Sequence, residues 1–284
     1  MTDKIVIEKP LVSIDWLWRH FDSSNLIILD ASIQKVSDIK IDTVNTVKSQ
    51  IKNARFFDLK KKFSDLTSEY PTTMPSSKKF SDAARQLGIN RDSAIVVYDE
   101  LGIYSSPRVW WMFKAMGHDN IAVLDGGLPE WKKAGLPIES KRKYHGIEGN
   151  FTGNYHNDMM SDYKEVFKVI HNNHSIVIDA RAKNRFNGTE SEPRVGLRSG
   201  HIPNSINLPY TELIKNNKMI TEEKLSESFS KFDIKQDRLI FTCGSGITAC
   251  ILALGSELAG LQNIAVYDGS WTEWGSLTEL PIEK

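Results

Sequence analysis

The residue in this chain best placed for covalent chemistry is a thiol that closes an apolar, β-branched run. Leu239-Ile240-Phe241-Thr242 leads into Cys243-Gly244-Ser245-Gly246-Ile247-Thr248-Ala249-Cys250, which predicts a strand, a glycine-rich turn and then a helix over 247–258. Backbone N–H groups of Gly244, Ser245, Gly246, Ile247 and Thr248 are expected to converge on the sulfur, with partial positive charge added by the helix N-terminus. Both effects favour thiolate over thiol, and the thiolate is the nucleophile. Gly244 and Gly246 are expected to let the turn wrap tightly, because glycine takes positive φ without strain. Free cysteine is more commonly a small buried hydrophobe. That description suits Cys250, set inside the helix among Ala249, Ile251 and Leu252.

The same turn invites two other chemistries, and particular residues weigh against each. Gly244 to Ala249 fits G-x-G-x-x-A, with the acidic Asp268 about 20 residues later, as in nucleotide-binding folds. A dinucleotide domain needs further βα units after that motif, and this sequence runs to Lys284. A cysteine phosphatase clamps its phosphate with an arginine at the position Ala249 occupies. No Walker-type phosphate loop is present. A non-catalytic or nucleotide-binding α/β module is the alternative of another class.

The elements that must hold the turn occur twice. NLIILDAS (25–32) matches HSIVIDAR (174–181), QIKNARFF (50–57) matches HIPNSINL (201–208), and SAIVVYD (93–99) matches DRLIFTC (237–243). NIAVLDGG (120–127) then matches NIAVYDGS (263–270), and LPIE at 136–139 recurs at 280–283. Matches in one order at a nearly constant offset describe a tandem duplication. Within each copy, buried-type strands alternate with amphipathic stretches, two of which end at Gly88 and Gly117 as helices do. The fold class is therefore α/β, one parallel sheet flanked by helices per copy. The expected boundaries are a first domain over 1–142, a polar linker over 143–158 and a second domain over 159–284.

The copies diverge where the chemistry sits. Asp99 stands in the first copy where Cys243 stands in the second, and Lys52 and Arg55 interrupt the turn that reads His201-Ile-Pro-Asn204. The first copy is read as non-catalytic. Trp131 and Trp274 are equivalent across the repeat, which argues for packing common to both copies; Trp271, opposite Leu128, is a candidate to line a site.

Lys plus Arg equals Asp plus Glu at 36 each, so no net field draws the chain to nucleic acid or an anionic membrane. No run is long and apolar enough for a membrane helix, and no metal-ligand cluster is visible. Two cysteines, with Asp3 and Glu8 near an N-terminus lacking an apolar run, suit a reducing, cytoplasmic setting.

CGSGITAC, preceded by DARxxxRF and EPRxGxRSGHIPNSINLP and followed by YDGSWTEW, resembles the two-domain rhodanese-type sulfurtransferases, specifically the 3-mercaptopyruvate branch. The resemblance runs over nearly the whole chain, as a tandem duplication of a rhodanese-like domain. It implies that Cys243 takes sulfur from 3-mercaptopyruvate, releases pyruvate and passes the sulfur from a persulfide to a thiol or cyanide, or to a thioredoxin-like protein, without a cofactor. It implies that Arg185 and Arg194 hold the donor's carboxylate and ketone oxygens, a task for guanidinium forks. The turn residues Gly244, Gly246, Ile247 and Thr248 would complete the binding site, and Ser245 and Asp58 would join Cys243 in catalysis. The related thiosulfate enzymes place cationic side chains in the turn, whereas here its side chains are neutral; thiosulfate is the alternative donor. Related mercaptopyruvate enzymes carry a histidine where this chain has Thr72. Arg181, Arg198 and His201 are read as structural.

Overall fold

The computed structural model describes residues 4–34, 49–171, 175–232 and 238–284; His174 and Asp237, which open two of the matched segments, lie outside them. The chain forms two compact units, the first comprising Met1–Asp65, Pro75–Tyr155 and Asn216–Lys218, the second Leu66–Met74, His156–Lys215 and Met219–Lys284.

In the first unit the near-continuous apolar runs become strands because a sheet covered on both faces is where they bury the most surface. In chain order the strands are β1 (Leu11–Val12), β2 (Leu26–Asp30), β3 (Ser49–Ile51), β4 (Arg55–Phe56), β5 (Ala94–Tyr98), β6 (Ile121–Leu124) and β7 (Ile138–Ser140), the apolar runs being β2, β5 and β6. The main sheet is parallel in the order β1-β6-β5-β2-β4, while β3 and β7 pair antiparallel beside it. Helices α1 (Ile14–Arg19), α2 (Ser77–Gln86), α3 (Ser106–Ala115) and α4 (Gly127–Lys133) connect the strands. Ser76 Oγ caps α2 by accepting from the Lys79 amide, and Gly88 follows its C-cap at φ +67°. Gly117 ends α3 in the same way. Phe57, Phe63, Phe80, Phe113 and Phe151 pack ring against ring. Phe151 comes from the stretch read as linker, which ties itself down through the Gly149 and Phe151 amides on Arg85 O and Ile89 O.

The second unit repeats the plan with β8 (Met160–Ser161), β9 (Ser175–Asp179), β10 (Ile206–Asn207), β13 (Arg238–Thr242) and β14 (Ile264–Tyr267); β11 (Ile214–Lys215) and β12 (Lys218–Met219) form a separate ribbon. Its sheet order, β10-β9-β13-β14-β8, is the order of the first sheet reversed in listing and identical in topology. The register matches too, Asp30 facing Tyr98 as Asp179 faces Thr242. Helices α5 (Tyr163–Val169), α6 (Lys183–Phe186), α7 (Glu222–Ser230), α8 (Ala249–Leu258) and α9 (Ser270–Trp274) complete it. The helix expected from residue 247 starts later, at Ala249, because Ile247 and Thr248 still belong to the turn. Trp131 Nε1 donates to Pro137 O at 3.0 Å and Trp274 Nε1 to Pro281 O at 2.8 Å, so the shared tryptophans do the same structural work. Trp271 is fully buried in the core rather than lining an opening.

In such sheets the strand order reverses at one point, and ligands gather beyond the carboxyl ends of the strands there. Here the reversal falls between β9 and β13, and Asp179 and Cys243 stand at those two ends.

Candidate active site

Cys243 follows the last residue of β13 and is 2% exposed. Its turn is fixed from α9: Ser270 Oγ accepts from the Cys243 amide at 3.2 Å and the Gly246 amide at 3.1 Å, and donates to Tyr267 O at 2.7 Å. The Trp271 amide donates to Cys243 O, and Thr272 donates to Gly244 O through its amide and its hydroxyl. Ser270 holds φ +51°, a conformation costly to any residue but glycine, and Gly127 occupies the same place in the first unit at φ +50°. That equivalence was the sequence signal for Ser270, read there only as repeat.

Two expectations about the turn are corrected. The Gly246 amide serves Ser270 rather than the sulfur; the amides of Gly244, Ser245, Ile247 and Thr248 make no hydrogen bond to protein among the described residues. Only Gly246 takes positive φ, at +73°. Gly244 is needed for space instead, since a Cβ there would meet Arg185 Nη2 at 3.3 Å and Arg194 Nη1 at 3.8 Å. Both predicted arginines thus lie against the turn, and Arg194 Nη2 reaches Ser245 Oγ at 3.4 Å. Ile247 is buried and Thr248 half-buried at the head of α8. Cys250 is fully buried, its Sγ 3.3 Å from Gly246 O, as a core residue.

Around the arginines lies a buried ion-pair chain that the sequence did not reveal. Arg181 grips Asp179 through Nε and Nη2 (2.6 Å) and Glu192 Oε1 through Nη1 (2.8 Å), with its guanidinium 4.2 Å from the Trp271 ring. Burial opposes the Arg181 charge, yet Asp179 and then Glu192 overcome that and raise its pKa above the ordinary value. Glu192 Oε2 also takes Arg185 Nη2 at 2.5 Å. Arg198 donates to the carbonyls of Trp274, Gly275, Leu277 and Leu280, and His201 stacks on Phe186 with Nδ1 2.9 Å from Phe186 O. All three, Arg181 included, hold structure together.

Thr72, in the segment Leu66–Met74 of this unit, donates from Oγ1 to Ser245 O at 2.9 Å while holding φ +62°, and the Met74 amide donates to Asp268 Oδ2 at 2.7 Å. Asp58 lies in the first unit, where its carboxylate accepts from the Lys61 amide at 3.1 Å and its carbonyl from the Lys62 and Phe63 amides.

In the first unit the equivalent turn holds a carboxylate. Asp99 Oδ2 accepts from the amides of Tyr104, Ser105 and Ser106 at 2.8–3.0 Å and from Ser106 Oγ at 2.7 Å, and Oδ1 accepts from the Leu101 amide at 2.9 Å. Among the described residues no helix is long and apolar enough to cross a membrane.

Residues 13–134 and 162–277 each match the rhodanese-like domain. The chain is 40% identical over 275 residues to a mouse protein named 3-mercaptopyruvate sulfurtransferase, covering 94% of this chain and 92% of that one. It is 37% identical over 279 residues to mouse thiosulfate sulfurtransferase, covering 95% and 93%. The crystal structure of SseA from Escherichia coli, a 3-mercaptopyruvate sulfotransferase by its description, superposes with a TM-score of 0.80 at 32% identity, over 93% of this chain and 99% of that one. The motif resemblance, the doubled parallel sheet and these full-length likenesses agree: the chain belongs to the rhodanese family, as a two-domain sulfurtransferase.

Proposed function

We propose that this protein moves sulfur from 3-mercaptopyruvate to a thiol or cyanide through a persulfide on Cys243. The Cys243 thiolate attacks the donor's sulfur, the C–S bond breaks, and its electron pair leaves on carbon as the enolate of pyruvate, which takes up a proton. An acceptor thiolate then attacks the outer persulfide sulfur and regenerates the Cys243 thiolate. Splitting one transfer into two displacements is the gain of covalent catalysis.

The observation that carries this reading is the meeting of Cys243, Ser245, Arg185 and Arg194 on one turn, with both guanidinium groups against Gly244. Arg185 and Arg194 take the carboxylate and ketone oxygens, and Ser245, oriented by Arg194, hands a proton to the leaving enolate. Support for a stabilised thiolate comes from the first unit, whose matching turn folds its amides onto the Asp99 carboxylate. Gly244, Gly246, Ile247 and Thr248 shape the donor's seat, and Asp58 is retained from the family likeness. A thioredoxin-like protein in a reducing, cytoplasmic setting is the acceptor this chemistry suits. Thiosulfate is the second donor to consider, since a relative named for it matches nearly the full chain.

The test is pyruvate and sulfide release from 3-mercaptopyruvate against thiocyanate formation from thiosulfate and cyanide, with wild type and Cys243→Ser. Dominance of the first reaction and its loss in the mutant are expected. Faster thiosulfate turnover would reverse the donor assignment, and turnover by neither would leave a binding module.

A further inference from the structure

We propose that Glu192 sets the positive charge offered beside the catalytic turn and so selects singly charged donors over doubly charged ones; this rests on the sulfur-transfer reading above. Arg185 is the guanidinium nearest the backbone next to the thiol, with Nη2 placed 3.3 Å from where a Gly244 Cβ would stand. That same Nη2 lies 2.5 Å from Glu192 Oε2, and Arg185 Nε lies 3.2 Å from Oε1. Glu192 Oε1 also takes Arg181 Nη1. Arg181 is already gripped on its other edge by Asp179, so Arg181 alone does not require a second carboxylate. The charge left for Glu192 to balance is that of Arg185. Side-chain exposures of 1% for Arg181 and Asp179 and 2% for Glu192 keep water from screening the group, whereas Arg185, at 20%, opens toward solvent.

Among the described residues the first unit does not repeat the Asp179–Arg181 grip. In the first unit Ser32 stands where Arg181 would be, and Asp30 pairs with Lys141 Nζ at 2.7 Å and with the Ser32 hydroxyl. The copy without a thiol therefore carries no guanidinium at that position. 3-Mercaptopyruvate brings a single carboxylate charge and thiosulfate two negative charges. With Arg185 half-neutralised by a buried carboxylate, each extra negative charge on a donor meets Glu192 as well as Arg185. At a separation of several ångströms in a partly dry site, one unit of charge changes binding by roughly tenfold or more.

Glu192→Gln keeps the shape and removes the charge, and Glu192→Asp keeps the charge. The expected result is a rise of about tenfold or more in the ratio of kcat/KM for thiosulfate to kcat/KM for 3-mercaptopyruvate in Glu192→Gln, with the wild-type preference kept in Glu192→Asp. An equal fall for both donors in a protein that melts like wild type would overturn the proposal, because a residue that only props up Arg185 and Arg181 weakens every donor alike. A second measurement needs neither turnover nor a stable variant. Protection of wild-type Cys243 from iodoacetamide by pyruvate, a monoanion, is compared with protection by sulfate, a dianion, at equal ionic strength. Pyruvate protecting at the lower concentration supports the proposal, and sulfate protecting about tenfold better sinks it. If wild type turned over neither donor, the functional reading would fall and the alkylation comparison would still decide the charge preference.

Discussion

The turn after β5 and the turn after β13 start from one backbone plan and hold different groups, Asp99 in the first unit and Cys243 in the second. In both, the carbonyl of that residue accepts from the amide at the head of the next short helix, Leu128 in one and Trp271 in the other. In the first, Oδ1 and Oδ2 of Asp99 consume the amides of Leu101, Tyr104, Ser105 and Ser106, and the turn is closed on itself. In the second the anchoring is moved outside, to Ser270 Oγ, and the amides of Gly244, Ser245, Ile247 and Thr248 stay uncommitted to protein among the described residues. Duplication thus produced one turn whose anion is built in and one in which those amides, among the described residues, are left without a protein acceptor.

The largest expected effect separates the two turns outright: Cys243→Ser lowers sulfur transfer by ~10⁴-fold or more, since loss of a nucleophile removes the covalent route. Asp99→Ala, measured on the same assay, leaves turnover within a few fold. Next, Arg185→Ala lowers kcat/KM for 3-mercaptopyruvate by about a hundredfold, the worth of charged hydrogen bonds to an anionic donor. Steady-state kinetics check both.

Stability reads the other side of the comparison. Asp99→Ala strands buried amides and is expected to cost about 2–4 kcal/mol in urea unfolding. At the Ser270 position the first unit already carries the answer in Gly127. Ser270→Ala loses the anchor and keeps the strain, whereas Ser270→Gly loses the anchor and relieves it, so the glycine variant should be the more stable by about 1 kcal/mol. Equal stability of the two variants would mean the positive φ is not strained.

The smallest effect concerns pH. His118 of the first unit stands where the second has Leu261. Burial, partly opposed by the Ser93 carbonyl, lowers its pKa below the ordinary 6.5. A group whose folded pKa is depressed stabilises fully above 6.5 and loses that stability as pH falls through the folded value. Melting followed from pH 7.5 to 5 should fall more steeply in wild type than in His118→Leu.

How much of this was legible depended on how local each interaction is. The strands, the glycine stops after α2 and α3, the duplication and the Cys243 turn all follow from neighbours in sequence, where period and turn chemistry act. Arg185 and Arg194 were legible only through family likeness, since no local pattern marks either; the structure sets both beside Gly244. Glu192 and Ser270 were not legible as partners, because ion pairs and side-chain anchors form between positions that only the folded sheet brings together. The amide assignment went wrong at Gly246 for the same reason: its acceptor, Ser270, lies 24 positions away. Thr72 entered only as the replacement of a histidine, and its bond to Ser245 O spans 173 positions.

That last bond bears on how the molecule can be dissected. The segment Leu66–Met74 lies in the middle of the first copy in sequence yet is counted, by its contacts, with the second unit. A fragment cut at the repeat boundary would therefore lack the Thr72 hydroxyl and the Met74 amide that secure Ser245 O and Asp268. The exchange runs both ways, Leu66–Met74 of the first copy counting with the second unit and Asn216–Lys218 of the second copy with the first, so a cut at the repeat boundary removes residues from both units.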